Sequence, residues 1–400
     1  MATSMVSRRV VQQRSLKVGV VAGGDPYDVR LFSGTTRNMT LALERIFGNV
    51  TVVRRPRPAW YGLLRSAISK LSRGTVDLNF SRLLARRHAA AIVEQLDQDK
   101  PDLVFSVAQS PITAELAEHY PVVHVSDATF QLMEDFYKTF SRLGESWRRE
   151  GEAMERDAIN KSLFVTVSSP WAARSVIDDY GTDPAKVAAL SWGCNIPFVP
   201  ADDVGPIPAE DAICRLLFVG LDWTRKGGDI VVATADILRE RGFPFHLDLV
   251  GVGADEPVAA EDIEIHGVLR KDEPDELERL LSLFRGASLL FLPTRQDCTP
   301  MVFAEANAYG VPALARDVGG VTGVIDHGVN GLVLEAEATP EAFADSIMAL
   351  WADRDRYNAM RLASRAAYEG RLNWDCWAAR IHRIATALVS DQVPGGAREN

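Results

Sequence analysis

Two carboxylates eight positions apart, Asp297 and Glu305, bracket the start of an apolar stretch, and their spacing points to a site for a phosphate beside hydroxyls. Between them Thr299-Pro300 offers a capping residue followed by proline at the first helical position, so a helix is predicted to start there. The amides of Met301, Val302 and Phe303 then have no partners within the helix and point out of its N-terminus, where a phosphate is readily held. Glu305 lies one turn further in, and helical side chains lean toward the N-terminus, which brings its carboxylate beside those amides. A carboxylate next to a bound phosphate is repulsive unless it has hydroxyls to accept from, and a ribose or a hexose supplies them. The stretch reads as a sugar-nucleotide site.

The elements that must hold this site alternate in type. ASLLFLP, ending at Pro293, is an apolar run suited to a buried parallel strand. Upstream, RLLFVG, FHLDLVG and IEIHG read as strands, and PALAR follows the central helix, an order that predicts a doubly wound parallel sheet. Lys226 comes six residues after the strand-end Gly220, beside Gly227 and Gly228, where a cation could meet a diphosphate held by the central helix. Arg225 stands next to it. A second set precedes these: KVGVV, NVTVV, PDLVFSV, VVHVS and SLFVTV read as strands, VAALSWGCN as a short strand with a turn, and Ser33-Gly34-Thr35 opens the first helix, making Gly34 a candidate contact at a strand-to-helix turn. His124 and Asp127 fall at a predicted strand end, where ligands meet open α/β sheets, and Asp127 is a candidate for the acceptor cleft. Residues 197–211 hold four prolines and four acids without a period, and read as a linker in which Asp202-Asp203 is solvated surface. The expected layout is an acceptor-side domain over 1–196, the linker, a donor-binding domain over 212–370, a helix over 371–390 and a disordered tail over 391–400.

The pattern Asp297, seven residues, Glu305, then Ala306-x-Ala308-x-Gly310-x-Pro312 and the pair Gly319-Gly320 resembles retaining family-four glycosyltransferases of the GT-B fold. The resemblance implies an α/β protein of two Rossmann-like, doubly wound parallel-sheet domains facing a cleft, with the last helix crossing back onto the first domain. It implies that Asp297 faces the donor sugar, Glu305 holds the ribose, Thr299, Met301, Val302, Gly319 and Gly320 surround the diphosphate, and Lys226 with Arg225 meets it from the other side. The Gly34 loop would close over the phosphates, and His124 would lie near the reacting sugar. Residues 266–271 fall where the family's backbone reads the nucleobase. Four positions depart from the pattern: Asp297 replaces the usual Glu, Pro300 and Leu221 stand where glycine and arginine are usual, and Gly323 where a Glu often follows the glycine pair.

With 400 residues, 47% of them hydrophobic, the chain can build two cores. A formal net charge of −10 argues against nucleic acid as a partner. The four cysteines form no C-x-x-C pair, which fits a reducing cytoplasm, and no apolar run approaches the roughly 18 residues of a membrane span. No His, Asp and Glu cluster has metal-ligand spacing, so neither a metal nor another cofactor is expected. Residues 54–88 carry nine basic residues against Asp77 alone, interleaved with Trp60, Tyr61, Leu63, Leu64, Ile68 and Leu71. Such a segment is either a solvated helical face or a seat for an anionic membrane surface or acceptor. The expected reaction is transfer of a sugar from a nucleotide diphosphate sugar to a hydroxyl of a saccharide or lipid-linked acceptor, with retention, in cell-surface glycan assembly. The rivals are a sugar-nucleotide epimerase, a pyridoxal-phosphate-dependent phosphorylase, and a non-catalytic binding partner.

Overall fold

The computed structural model describes residues 16–54, 59–200, 208–209, 212–253 and 260–392. The middle of the expected linker, including Asp202 and Asp203, lies outside them, as do most of the expected tail, Arg55, Arg57 and the side chain of Trp60.

Twelve strands form two sheets among the described residues. The first contains β1 (Val18–Ala22), β2 (Val50–Arg54), β3 (Leu103–Val107), β4 (Val122–Ser126), β5 (Phe164–Val167) and β6 (Val187–Ala189), in the order β2-β1-β3-β4-β5-β6. The second contains β7 (Cys214–Val219), β8 (Phe245–Val250), β9 (Ile263–Gly267), β10 (Leu289–Leu292), β11 (Ala313–Arg316) and β12 (Gly331–Leu334), in the order β12-β11-β10-β7-β8-β9. Every pairing is parallel. β1, β3, β4 and β10 are buried along their whole length, the pattern of strands covered by helices on both faces. β12 is an addition to the strands read from the sequence; its four residues are too short a run to stand out.

Strand order reverses beside the first strand of each sheet: β1 separates β2 from β3, and β7 separates β8 from β10. Crevices outside the carboxyl ends of strands at such reversals are where doubly wound sheets take ligands. The segments after β7 and β10 carry Lys226 and Asp297, so the second reversal puts these two residues, 71 positions apart, in contact.

The last helix, Trp374–Gln392, leaves the second domain and packs on Thr35–Phe47 of the first. Its Trp374, Trp377, Ile381 and Ala385 belong to the same apolar core as Val18, Val20, Leu103 and Phe105. Trp377 is fully buried there. Truncating so large a side chain to alanine costs about 3–5 kcal/mol.

The basic segment differs from its appearance in sequence. The helix Ala59–Leu71 exposes Leu63 and Leu71, at 76% and 86%, but Tyr61 is buried. Several of the charges are neutralised by acids from elsewhere in the chain. Arg54 pairs with Asp25, Arg65 with Asp77, Arg82 with Glu150 and Asp157, and Arg86 with Glu115. Sequence proximity counts only neighbours along the chain, and three of these four residues are paired by distant ones.

Candidate functional site

A cavity of about 510 Å³ opens between the domains. The second domain lines it with residues after β7, β8, β9 and β10, and the first with residues after β1, β4 and β6.

The central helix begins at Met301, one residue later than the capping pattern predicts, with Pro300 as the residue before its first turn. Thr299 does not cap it. Its hydroxyl instead shares a hydrogen bond of 2.5 Å with Ser168 Oγ of the first domain. The Phe303 amide, expected to be free, donates to Pro300 O at 3.2 Å. The amides of Met301 and Val302 find no acceptor among the described residues, and both residues line the cavity. Two orphan donors thus remain where three were expected.

Asp297 and Glu305 both face the cavity and both are buried, at 6% and 2% exposure. Lys226 Nζ donates to Asp297 Oδ2, and Lys271 Nζ to Glu305 Oε1. Each acid is therefore matched by a cation. Arg225 also lines the cavity, donates to Gln296 O at 3.0 Å, pairs with Asp222 at 3.3 Å and lies 5.9 Å above the ring of Tyr137, a first-domain residue. The phenol of Tyr137 is pushed up by burial and by the nearby Cys298 and Asp297. Leu221 is three-quarters exposed at the cavity edge, so the cation on this side is Arg225.

On the first-domain wall, Asp127 follows β4 directly and is half-buried. Its carboxyl is pushed up to about 7, chiefly by burial and further by Asp297 across the cleft, against the pull of the backbone amides of Asp127 and Ala128. Four other expected contacts are placed differently. His124 is in the body of β4 rather than at its end, fully buried, does not line the cavity, and stands 3.8 Å from Glu155. Gly34 does not line the cavity, although its neighbours Ser33 and Thr35 do. Gly319 and Gly320 sit behind the Asp297 loop: the Gly320 amide donates to Asp297 O at 3.0 Å, and a Cβ at Gly320 would fall 1.8 Å from Cys298 O. They brace the backbone that carries Asp297, and do not border the cavity. Gly323 has a packing reason too, since a Cβ there would lie 2.7 Å from Ser169 Cβ of the first domain.

Sequence reasoning missed Tyr137, Asn195 and Trp192 as site residues, and it placed Lys271 only within the stretch 266–271 expected at the nucleobase, with no role for its side chain. Lys271 lies just beyond β9. Asn195 accepts from Asn38 at 3.0 Å and from Trp374 at 3.2 Å, and donates to Ser33 O and Thr35 Oγ1, tying the linker end and last helix to the first loop. Folding also assembles a group that the sequence spacing did not suggest. His246, Asp248 and Glu264 on β8 and β9 bring ligand atoms within 4.8 Å of one another. None of the three lines the cavity. Asp248 is already engaged by His266 at 2.7 Å.

Residues 214–353 match the family described as Glycosyl transferases group 1. A D-inositol 3-phosphate glycosyltransferase of Nocardia farcinica is 28% identical over 240 residues, 56% of this chain and 52% of that protein. One from Kineococcus radiotolerans is 32% identical over 267 residues, 60% of each chain. The chain spans about half to two thirds of the length of the curated relatives it matches. Among solved structures, a sucrose-phosphate synthase from Thermosynechococcus elongatus superposes with a TM-score of 0.67 at 15% identity, covering 94% of this chain and 100% of that one. The Anabaena protein HepE, solved with UDP-glucose, gives 0.60 at 14% identity, covering 93% and 100%. At such identities the superpositions speak for the fold, which is GT-B. The fold is GT-B throughout, and over residues 214–353 the sequence is similar to the group 1 glycosyltransferases.

Proposed function

We propose that the chain transfers a sugar from a nucleotide diphosphate sugar to a hydroxyl, with retention and without a metal ion. The observation that carries this reading is the pair of buried carboxylates, each matched by a lysine, on either side of two orphan amides at one helix N-terminus. In this reading the donor diphosphate meets the Met301 and Val302 amides, Lys226 and Arg225, which together offset the charge that develops as it leaves. Lys226 then exchanges Asp297 for phosphate and frees that carboxylate for the sugar hydroxyls. Glu305 accepts from the ribose, with Lys271 beside it. The acceptor hydroxyl attacks from the face the diphosphate leaves, forming its bond to the anomeric carbon as the carbon–oxygen bond to phosphate breaks, and its proton passes to the departing oxygen. That route needs no enzymic nucleophile.

The names of the curated relatives and the UDP-glucose bound to HepE support a nucleotide-sugar donor. A saccharide or lipid-linked acceptor in surface glycan assembly, on the inner face of a membrane, remains the reading of the basic segment and its exposed leucines; no helix of the described residues is long and apolar enough to cross a membrane. A thermal-shift screen against nucleoside diphosphates and their sugars tests the donor site. A ligand at ~100 times its dissociation constant adds roughly 2.7 kcal/mol to stability. No shift with any nucleotide at millimolar concentration would remove the donor site, and the transferase reading with it.

A further inference from the structure

The two walls of the cavity differ in charge. The second-domain wall presents Arg225, Lys226, Arg270 and Lys271. On the first-domain wall Arg30 is the one cation among the described lining residues, and Asp28 holds it through two contacts of 3.0 and 3.1 Å. The same wall adds the carboxyl of Asp127, which faces Asp297 across the cleft, and the aromatic rings of Phe32, Tyr137 and Trp192.

Phe32 is placed there at a conformational cost. Phe32 and Ser33 adopt left-handed backbone at φ 53° and 56°, ahead of Gly34 at 83°. Side-chain-bearing residues rarely take that conformation, and it persists only where the surroundings impose it. Asn195 supplies the hold, donating to Ser33 O at 3.0 Å and to Thr35 Oγ1 at 2.8 Å. As a result Phe32 keeps 39% of its surface exposed at the cavity, in an edge-to-face contact with the buried Trp192, ring centroids 5.8 Å apart.

Resting on the transferase reading, we propose that this wall is the acceptor subsite and that it takes the reacting ring of an uncharged sugar or polyol, to the exclusion of rings bearing phosphate. The apolar face of such a ring lies on Phe32, and one hydroxyl donates to Asp127. A phosphate adds a charge of about −1.5 to −2 at neutral pH. On this wall it meets Asp127 and an arginine already paired, while the facing cations are engaged, Lys226 and Arg225 by the donor diphosphate in the proposed reading, Lys271 by Glu305 and Arg270 by Glu276.

The test compares matched pairs of acceptor rings, methyl α-glucoside with its 6-phosphate and myo-inositol with its monophosphate, on the full chain with nucleoside diphosphate bound, at about pH 8, above the Asp127 value of about 7. Saturation-transfer NMR reads ring binding, and nucleoside diphosphate release reads turnover when the donor sugar is supplied. The uncharged member of a pair should bind better by roughly tenfold or more, the scale of an uncompensated like-charge contact. Phe32→Ala should weaken the uncharged ring by roughly three- to tenfold, the scale of one aromatic contact, with nucleoside diphosphate affinity unchanged and with rescue in Phe32→Tyr. Asp127→Asn should narrow the preference within each pair. Stronger binding of the phosphorylated members, no binding by any ring at 10 mM, or an unaltered ring affinity in Phe32→Ala would overturn the proposal. Failure of the nucleotide itself to bind would instead sink the transferase reading.

Discussion

Lys226 donates to Asp297, a contact between the segments that follow neighbouring strands β7 and β10, and the pair is only 14% and 8% exposed at its side chains. A lysine placed there cannot be a spectator of what enters the cavity. Lys226, Asp297 and Met301 line the same cavity, so in the proposed reading an anion held at the Met301 amide competes with Asp297 for the ammonium.

Lys226→Ala and Glu305→Ala should each cripple turnover with the fold retained. A lost charge-assisted contact to the diphosphate costs about 2–3 kcal/mol, or roughly two orders of magnitude in rate. Glu305→Ala should act mainly on donor affinity, because ribose contacts are alike in ground and transition states. Steady-state kinetics with circular dichroism as a control decides it, and unchanged kinetics in either variant would take that residue out of the site.

Sugar transfer should survive EDTA. The cations that would serve the leaving diphosphate are Lys226 and Arg225, and the one cluster among the described residues able to hold a metal, His246, Asp248 and Glu264, lies away from the cavity. Activity abolished by chelation and restored by magnesium or manganese would reassign the stabilising role from these side chains to an ion.

The Asp127 carboxyl has a stability signature. Its folded value of about 7 lies above its ordinary 3.8, so the folded chain binds more protons than the unfolded chain between about pH 4 and 7. Stability contributed by this group therefore falls as pH rises through that window. Asp127→Asn should unfold at a higher temperature than the wild type at pH 8, with the gap closing toward pH 4. A gap independent of pH would show that the carboxyl is well solvated.

Gly323→Glu, which installs the residue common in the family that the sequence resembles, should destabilise this chain. The added Cβ would approach Ser169 Cβ to 2.7 Å, against ordinary contacts of 3.4 Å and more. Overpacking of this kind costs about 1–3 kcal/mol. Differential scanning calorimetry should show a lowered transition; a wild-type melting temperature would mean that the domains separate freely to make room.

Membrane docking, if the acceptor is lipid-linked, rests on fewer charges than the sequence suggests, since Arg54, Arg65, Arg82 and Arg86 are paired. Leu63 and Leu71 then matter more. Each lysine or arginine near an anionic surface is worth about 1 kcal/mol. Co-sedimentation with anionic vesicles should fall in Leu63→Ser/Leu71→Ser and also in Lys70→Gln/Arg73→Gln, and should weaken with salt. If the wild type does not pellet at low salt, the face is solvated surface.

Local sequence determined much of this protein. Apolar runs of four to six residues set between helical periods specify buried parallel strands, because a strand covered on both faces has no polar side to show. The spacing of Asp297 and Glu305 placed both acids at one helix end, where geometry follows from a single element. What needed the tertiary structure were relations between elements. His124 read as a strand-end residue, but the register of β4 put it in the interior and Asp127 at the end. Thr299 carried the mark of a helix cap, but Ser168 of the other domain claims its hydroxyl. Lys271 meets Glu305 across 34 residues, and the basic segment is neutralised by acids as distant as Asp157. Local propensity has no term for a partner brought in by another strand or domain, and at a cleft between two domains such partners decide the chemistry.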